Sequence, residues 1–313
     1  MRVGAIDCGT NSIRLLVADV DGPDLREVVR EMTVVRLGEG VDRTGAFSQA
    51  ALDRTFAACD AYAATLDRIG VDRLRFVATS ASRDVSNRSA FFDGVRERLG
   101  VAPEVISGAE EARLSFRGAV EGLPPNRIAM PTLVVDIGGG STEFVLGDRR
   151  PDGSVDVEAA VSVDIGCVRM TERHLRGDPP SPEEIARVEA DVDAALERAA
   201  REVPLDRARS LIGVAGTVTT VVALVRDLPI YDPAAIHGLH ADPLEIEQMT
   251  ARLLAMPRDQ RAALSVMHPG RVDVIGGGAL VLRAVARRTG LPVIASETDI
   301  LDGVARSLAD DVS

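Results

Sequence analysis

Residues 2–16 read RVGAIDCGTNSIRLL, and residues 131–146 read PTLVVDIGGGSTEFVL. Each stretch runs apolar residues into an aspartate, Asp7 or Asp136, through a turn of small and hydroxyl residues, and into a second apolar run. Runs rich in Val, Ile and Leu, broken by Gly, Ser and Asn, predict strand–turn–strand hairpins. The sequence that follows each hairpin is also alike. In the first half, strands are expected over 2–7, 12–20, 25–36, 73–79 and 103–107, with helices over 48–69, within 82–100 and over 108–123. In the second half, strands are expected over 132–137, 141–148, 154–165, 210–216 and 291–295. Helices are expected over 181–203, 217–227, 271–290 and 299–309, the first opened by Ser181, Pro182 and a capping-box Glu184.

The order β-β-β-α-β-α-β-α is thus written twice, with insertions in the second copy. This predicts an α/β fold of two duplicated domains facing each other across a cleft, a usual place for a ligand. The Pro-rich LPPNRIAMP marks a boundary, giving domains 1–128 and 129–313, with the last helix (about 299–312) a candidate to pack back on the first domain. A chain of 313 residues favours two cores over one.

Composition narrows the function. The net charge is −12, so long-range repulsion argues against nucleic acid as a partner. No stretch of about 18 uninterrupted apolar residues predicts a membrane span, and no signal peptide is expected ahead of the first strand. Cys8, Cys59 and Cys167 are odd in number and form no C-x-x-C pair, which points to a reducing, cytoplasmic setting. All 36 basic residues counted as Lys or Arg are arginines. A P-loop, which needs its lysine, is therefore closed, as are lysine nucleophiles.

The two turns carry the first chemical signal. Gly9, Thr10, Asn11 and Ser12, and Gly138, Gly139, Gly140 and Ser141, would expose backbone N–H groups in a small concavity suited to an anion. An aspartate beside that anion asks for a cation, and Mg²⁺ is the usual one next to phosphates. The same residues also fit two ordinary β-hairpins; the matched pair is what favours phosphate. Gly216 and Thr217 stand at a strand-to-helix junction, where the helix N-terminus favours an anion. Gly276, Gly277 and Gly278 fit close helix packing as well as a ligand role. In SGAEEARLSF, Ser107 and Glu110 fit a capping box, which leaves Glu111 unexplained by the cap. A carboxylate there can act as a general base, or simply favour the helix N-terminus.

DCGTNSIRLL, ATSASRDVSN, ISGAEEARL, DIGGGSTE and GVAGT, in this order, resemble the exopolyphosphatase / guanosine pentaphosphate phosphohydrolase family. The resemblance covers nearly the whole chain. It implies two ribonuclease-H-like domains of the actin-like superfamily and hydrolysis of a terminal phosphoanhydride. It places the catalytic carboxylate just before Ala-Arg, at Glu111, and puts Asp136 and Glu143 near a Mg²⁺ ion. It also gives Arg83 a phosphate-facing role, whose plain alternative is an ion pair with Asp84 or another acid. Inorganic polyphosphate, with short chains preferred, is the expected substrate, and guanosine pentaphosphate is the alternative. A homodimer is the expected assembly.

The chain departs from the family in two places. Longer relatives carry further helical domains after the core, and ILDG places Leu301 where many relatives have an arginine. His237 and His240 read as loop residues more readily than as metal ligands. Rival readings are an actin-like nucleotide-binding kinase and a phosphate-sensing module without turnover. A third is a C-x₅-R cysteine phosphatase built on Cys8 and Arg14, but the apolar run after the turn reads as a strand where that loop needs a helix.

Overall fold

The structure, a computed structural model, describes residues 1–22, 24–83, 85–150 and 154–310. The chain divides into two compact units, one of residues 1–118 with 300–313 and one of residues 119–299. The boundary anticipated at 128 lies inside the second unit. The last turn of the helix over 108–122 packs there: a Cβ on Gly122 would fall 1.9 Å from Thr298 Oγ1.

In unit 1, strands β1 (Arg2–Cys8), β2 (Ser12–Asp21) and β3 (Asp24–Val34) form an antiparallel meander. Helix α1 (Gln49–Ile69), capped by the Ser48 side chain, leads to β4 (Arg73–Ala78), which pairs in parallel with β1. Helix α2 (Arg88–Leu99), β5 (Glu104–Val105) and α3 (Gly108–Gly122) follow. The sheet order is β3-β2-β1-β4-β5.

The period-2 alternation of a strand sends neighbours to opposite faces. Ile6, Cys8, Ile13, Leu15 and Val17 pack with α1 and α2 side chains such as Leu52, Tyr62 and Phe91. Val3, Ala5, Leu16 and Ala18 pack with Ile300, Leu301, Val304 and Leu308 of the final helix. Each such aliphatic side chain contributes about 1.5–3 kcal/mol when fully buried, so both faces hold the unit. Leu301 is a core residue of this second face.

Unit 2 repeats the pattern with β6 (Thr132–Ile137), β7 (Thr142–Arg149), β8 (Val155–Val163), α4 (Cys167–His174) and α5 (Pro182–Glu202). It continues with β9 (Ser210–Val214), α6 (Ala215–Val225), β10 (His240–Ala241), α7 (Pro243–Ala255), α8 (Ile275–Thr289) and β11 (Val293–Ala295). Helix α9 (Ile300–Asp310) belongs to unit 1. The sheet order is β10-β11-β9-β6-β7-β8. Read from β8, it repeats unit 1: an antiparallel meander of three, then parallel strands, with β10 added at the edge. Both units therefore have the ribonuclease-H-like order, and the α/β duplication expected from sequence is present.

Helices α4 and α7 are absent from the sequence reading. The capping box expected at Ser181 and Glu184 is formed. Glu184 accepts from the N–H groups of Ser181, Arg176 and Gly177, and these backbone donors, Ser181 first, hold its carboxyl below the ordinary range.

Candidate functional site

The two turns close with the same bond. Gly9 N–H donates to Ser12 O at 2.9 Å, and Gly138 N–H donates to Ser141 O at 3.0 Å. The carbonyls of each turn are tied from outside. In unit 1, Asn11 O accepts from Val35 and Arg36, and Thr10 O accepts from Gly38. In unit 2, the first turn of α4 takes this role: Cys167 N–H donates to Gly138 O, and Val168 and Arg169 N–H donate to Gly139 O. Arg169 Nε adds a bond to Gly140 O at 2.7 Å. A Cβ at Gly166 would lie 2.4 Å from Gly139 O, so only glycine lets α4 come this close. The N–H groups of Thr10, Asn11, Gly139 and Gly140 make no hydrogen bond among the described residues. With the carbonyls turned away and held, these donors form concavities of the kind that bind anions.

The register pairs decide the charge of each hairpin. Asp7 faces Arg14 across β1 and β2. Arg14 Nη2 donates to Asp7 Oδ2 at 2.6 Å, with Nε at 3.1 Å. The first aspartate thus finds its cation in a side chain. At the same register in unit 2, Asp136 faces Glu143. Asp136 is 8% exposed and Glu143 1% exposed. Ser162 Oγ donates to Glu143 Oε1 at 2.6 Å. Like charges opposite one another on a sheet destabilise it, and a shared cation removes the conflict. Among the described residues, no group of three or more His, Cys, Asp or Glu side chains forms a metal-binding cluster.

Unit 1 links its other candidate residues in sequence. Thr10 Oγ1 lies 3.2 Å from Ser80 Oγ, at the start of the 3₁₀ turn Ser80–Ser82 that leads to Arg83. Arg83 Nη2 donates to Glu111 Oε2, and its Nε donates to Ile106 O at 3.3 Å. Glu111 is buried in the first turn of α3. The acid that Arg83 meets is therefore Glu111; Asp84, the other partner considered, lies outside the described residues.

The cap of α3 is half of what its sequence suggested. Ser107 Oγ accepts from Glu110 N–H at 3.2 Å, but Glu110 Oε1 accepts from Arg75 Nη2 at 2.8 Å, where a full cation outcompetes the reciprocal backbone donor. Glu110 and Glu111 are thus both paired, with different arginines on different faces of the helix.

In unit 2, β6 and β9 are parallel neighbours with Asp136 opposite Val214, so the 138–141 turn and the Gly216–Thr217 junction leave adjacent strands. Ala215 between them sits at φ 69, a strained left-handed conformation for a residue with a side chain. Arg271, which sequence reasoning missed, lies against this junction: a Cβ on Gly216 would be 2.3 Å from its Cζ. Its Nη1 donates to Thr220 Oγ1 at 2.9 Å, and its guanidinium stands 5.4 Å from the Tyr231 ring centroid. Tyr231 OH in turn donates to Glu297 Oε1 at 2.6 Å. A cation held beside a helix N-terminus strengthens an anion site.

The glycines of α8 serve packing. A Cβ on Gly277 or Gly278 would fall 2.6 Å from Thr171 Oγ1 or 2.4 Å from Thr217 Oγ1. Both ring nitrogens of His237 face backbone: Nε2 is 3.0 Å from Gly122 O, and Nδ1 accepts from Glu297 N–H. Cys8 is fully buried, and burial pushes its thiol well above the usual range. The chain after it is strand β2, so neither feature suits a thiolate nucleophile.

The Ppx/GppA phosphatase family matches residues 16–305. The chain is 50% identical to a Mycobacterium tuberculosis protein named Exopolyphosphatase 2, over 98% of each chain. The crystal structure of an exopolyphosphatase-like protein superposes with a TM-score of 0.94 at 42% identity, covering 100% of this chain and 99% of the other. A Ppx/GppA family member of Aquifex aeolicus superposes with a TM-score of 0.80 at 28% identity, covering 100% and 99%.

Proposed function

The chain belongs to the Ppx/GppA phosphatase family, and on that premise we propose that it is an exopolyphosphatase, hydrolysing the terminal phosphoanhydride of inorganic polyphosphate to release orthophosphate. The observation that carries this reading is the likeness to Exopolyphosphatase 2 along nearly the whole of both chains. The residues support it. Glu111 is the proposed general base. Its Oε2 is held by Arg83, whose remaining nitrogen, Nη1, can take a phosphate oxygen. Water attacks the terminal phosphorus in line. Its proton passes to Glu111 as the bridging P–O bond breaks and the shortened chain leaves.

The other residues bind and neutralise charge. The N–H groups of the Gly9–Ser12 and Gly138–Ser141 turns, and those of Gly216 and Thr217 at the start of α6, are the proposed phosphate donors. Arg271 is the proposed cation beside them. Asp136 and Glu143 are the proposed Mg²⁺ ligands. Two buried carboxylates facing each other, one of them bonded by Ser162 Oγ, suit a divalent ion that takes one or two carboxylates and completes its shell with water and phosphate. Such an ion supplies neutralisation of phosphate charge and polarisation of a phosphoryl oxygen.

The test is phosphate release measured side by side from tripolyphosphate, long-chain polyphosphate, guanosine pentaphosphate and ATP. The reading expects polyphosphate to give the highest kcat/KM. A preference for guanosine pentaphosphate would move the activity to the other branch of the family, and one for ATP with transfer to a non-water acceptor would overturn it.

A further inference from the structure

Unit 2 carries a second feature at the far end of its sheet. A pocket of about 410 Å³ opens where β9 and β11 begin. Ser210, the first residue of β9, lines it, whereas the Gly216–Thr217 junction follows the last residue of that strand. At about 3.3 Å per residue, roughly 15 Å of strand separates the two. Arg127, Arg209 and His240 reach the pocket wall, and among the described residues no carboxylate does. Neither Arg127 nor Arg209 forms an ion pair with a carboxylate among the described residues.

The backbone fixes this arrangement. Arg209 N–H donates to Pro131 O at 2.9 Å, and Ala129 N–H donates to Ser210 Oγ at 2.7 Å. These two bonds bring the segment after Arg127 alongside the start of β9. On the opposite wall, His240 pairs with Ile294, and its carbonyl accepts from Arg226 Nε at 2.8 Å. Leu291 and Ile294 make that wall apolar. Two guanidiniums lining one pocket without a carboxylate partner favour an anion there, and arginine's planar fork suits phosphate oxygens. The volume falls within the range of small-molecule sites, which join an apolar wall to a few placed polar groups.

We propose that this pocket is a second binding site, distinct from the candidate active site, for a small phosphorylated organic molecule. The phosphate sits between Arg127 and Arg209, and the carbon body lies on Leu291 and Ile294. The apolar wall favours an organic phosphate over bare phosphate or inorganic polyphosphate, which have nothing to place there.

The test is titration calorimetry of the full chain in excess chelator, with AMP, orthophosphate and tripolyphosphate as probes. The expected result is AMP binding tighter than orthophosphate, weakened about tenfold or more in Arg127→Ser/Arg209→Ser. Arg271→Gln should leave AMP binding unchanged, and tripolyphosphate turnover with Mg²⁺ should be unchanged in the double variant. Both arginines are exposed, and each single variant gives the same reading if the double variant fails to fold. The proposal is overturned if AMP does not bind at about 10 mM. It is also overturned if the arginine variants bind AMP normally, if Arg271→Gln abolishes AMP binding, or if orthophosphate or tripolyphosphate binds this pocket as tightly as AMP.

Discussion

The hairpin of unit 1 and the hairpin of unit 2 share a backbone form and differ in the charge facing their aspartate. Both place an aspartate at the same point before a turn closed by a Gly N–H to Ser O bond. Across from it stands Arg14 in one copy and Glu143 in the other. The first hairpin therefore neutralises its own aspartate. The second concentrates two buried acids beside its turn, and like charges facing each other across a sheet destabilise it. Duplication supplied two turns of the same form; a change of charge opposite the aspartate separates a turn that pairs its own acid from the one proposed to take Mg²⁺. The supports differ as well: residues 35–38 hold the first turn, and the N-terminus of α4 holds the second.

The largest effect should come from outside both hairpins. Glu111→Gln should lower turnover by about 10²–10⁴ while substrate still binds, because loss of a general base removes that much. Phosphate-release kinetics with a parallel binding assay checks it. Near-normal turnover in this variant, with Glu110→Gln inactive, would transfer the role to the neighbouring carboxylate.

Next come the two acids of unit 2. Asp136→Asn and Glu143→Gln should each raise the Mg²⁺ concentration needed for half-maximal turnover at least about tenfold, a loss typical even of groups that only support a ligand. Arg14→Ala should leave that Mg²⁺ dependence in place and instead cost stability. Asp7 is 5% exposed, and removing its cation should cost about 2–3 kcal/mol in urea unfolding. An Mg²⁺ shift in Arg14→Ala as large as in Glu143→Gln would erase the distinction between the hairpins. The smallest effect should belong to Cys8→Ser. It should keep most of its turnover, lose about 1 kcal/mol from the buried hydroxyl, and trap no phosphocysteine on acid quench. A folded but inactive Cys8→Ser would revive the thiolate mechanism.

Much of this comparison was legible in the sequence. The repeated hairpins, the strand order and the long capped helix α5 follow from period and turn residues, which are local signals. Arg14 could have been paired with Asp7 from the hairpin alone, since a short turn fixes which residues face each other. Helix α7 opens with a capping box of Asp242 and Glu245, a signal present but not used. Helix α4 gives little to read: it has eight residues, of which Cys167, Val168 and Met170 are buried. Arg271 was not legible, because its contact with Gly216 joins segments far apart in sequence and leaves no periodic trace. Nor could the sequence say which acid Arg83 meets, since α3 delivers Glu111 to it only through the fold.

The second hairpin is proposed to work with an added divalent ion, while the first pairs its aspartate with Arg14. The direct measurement is phosphate release from tripolyphosphate by well-washed protein, first in excess chelator and then with Mg²⁺ restored. The account predicts no turnover in chelator, recovery on adding Mg²⁺, and a recovery curve displaced to higher Mg²⁺ in Glu143→Gln. Full activity in chelator would contradict it.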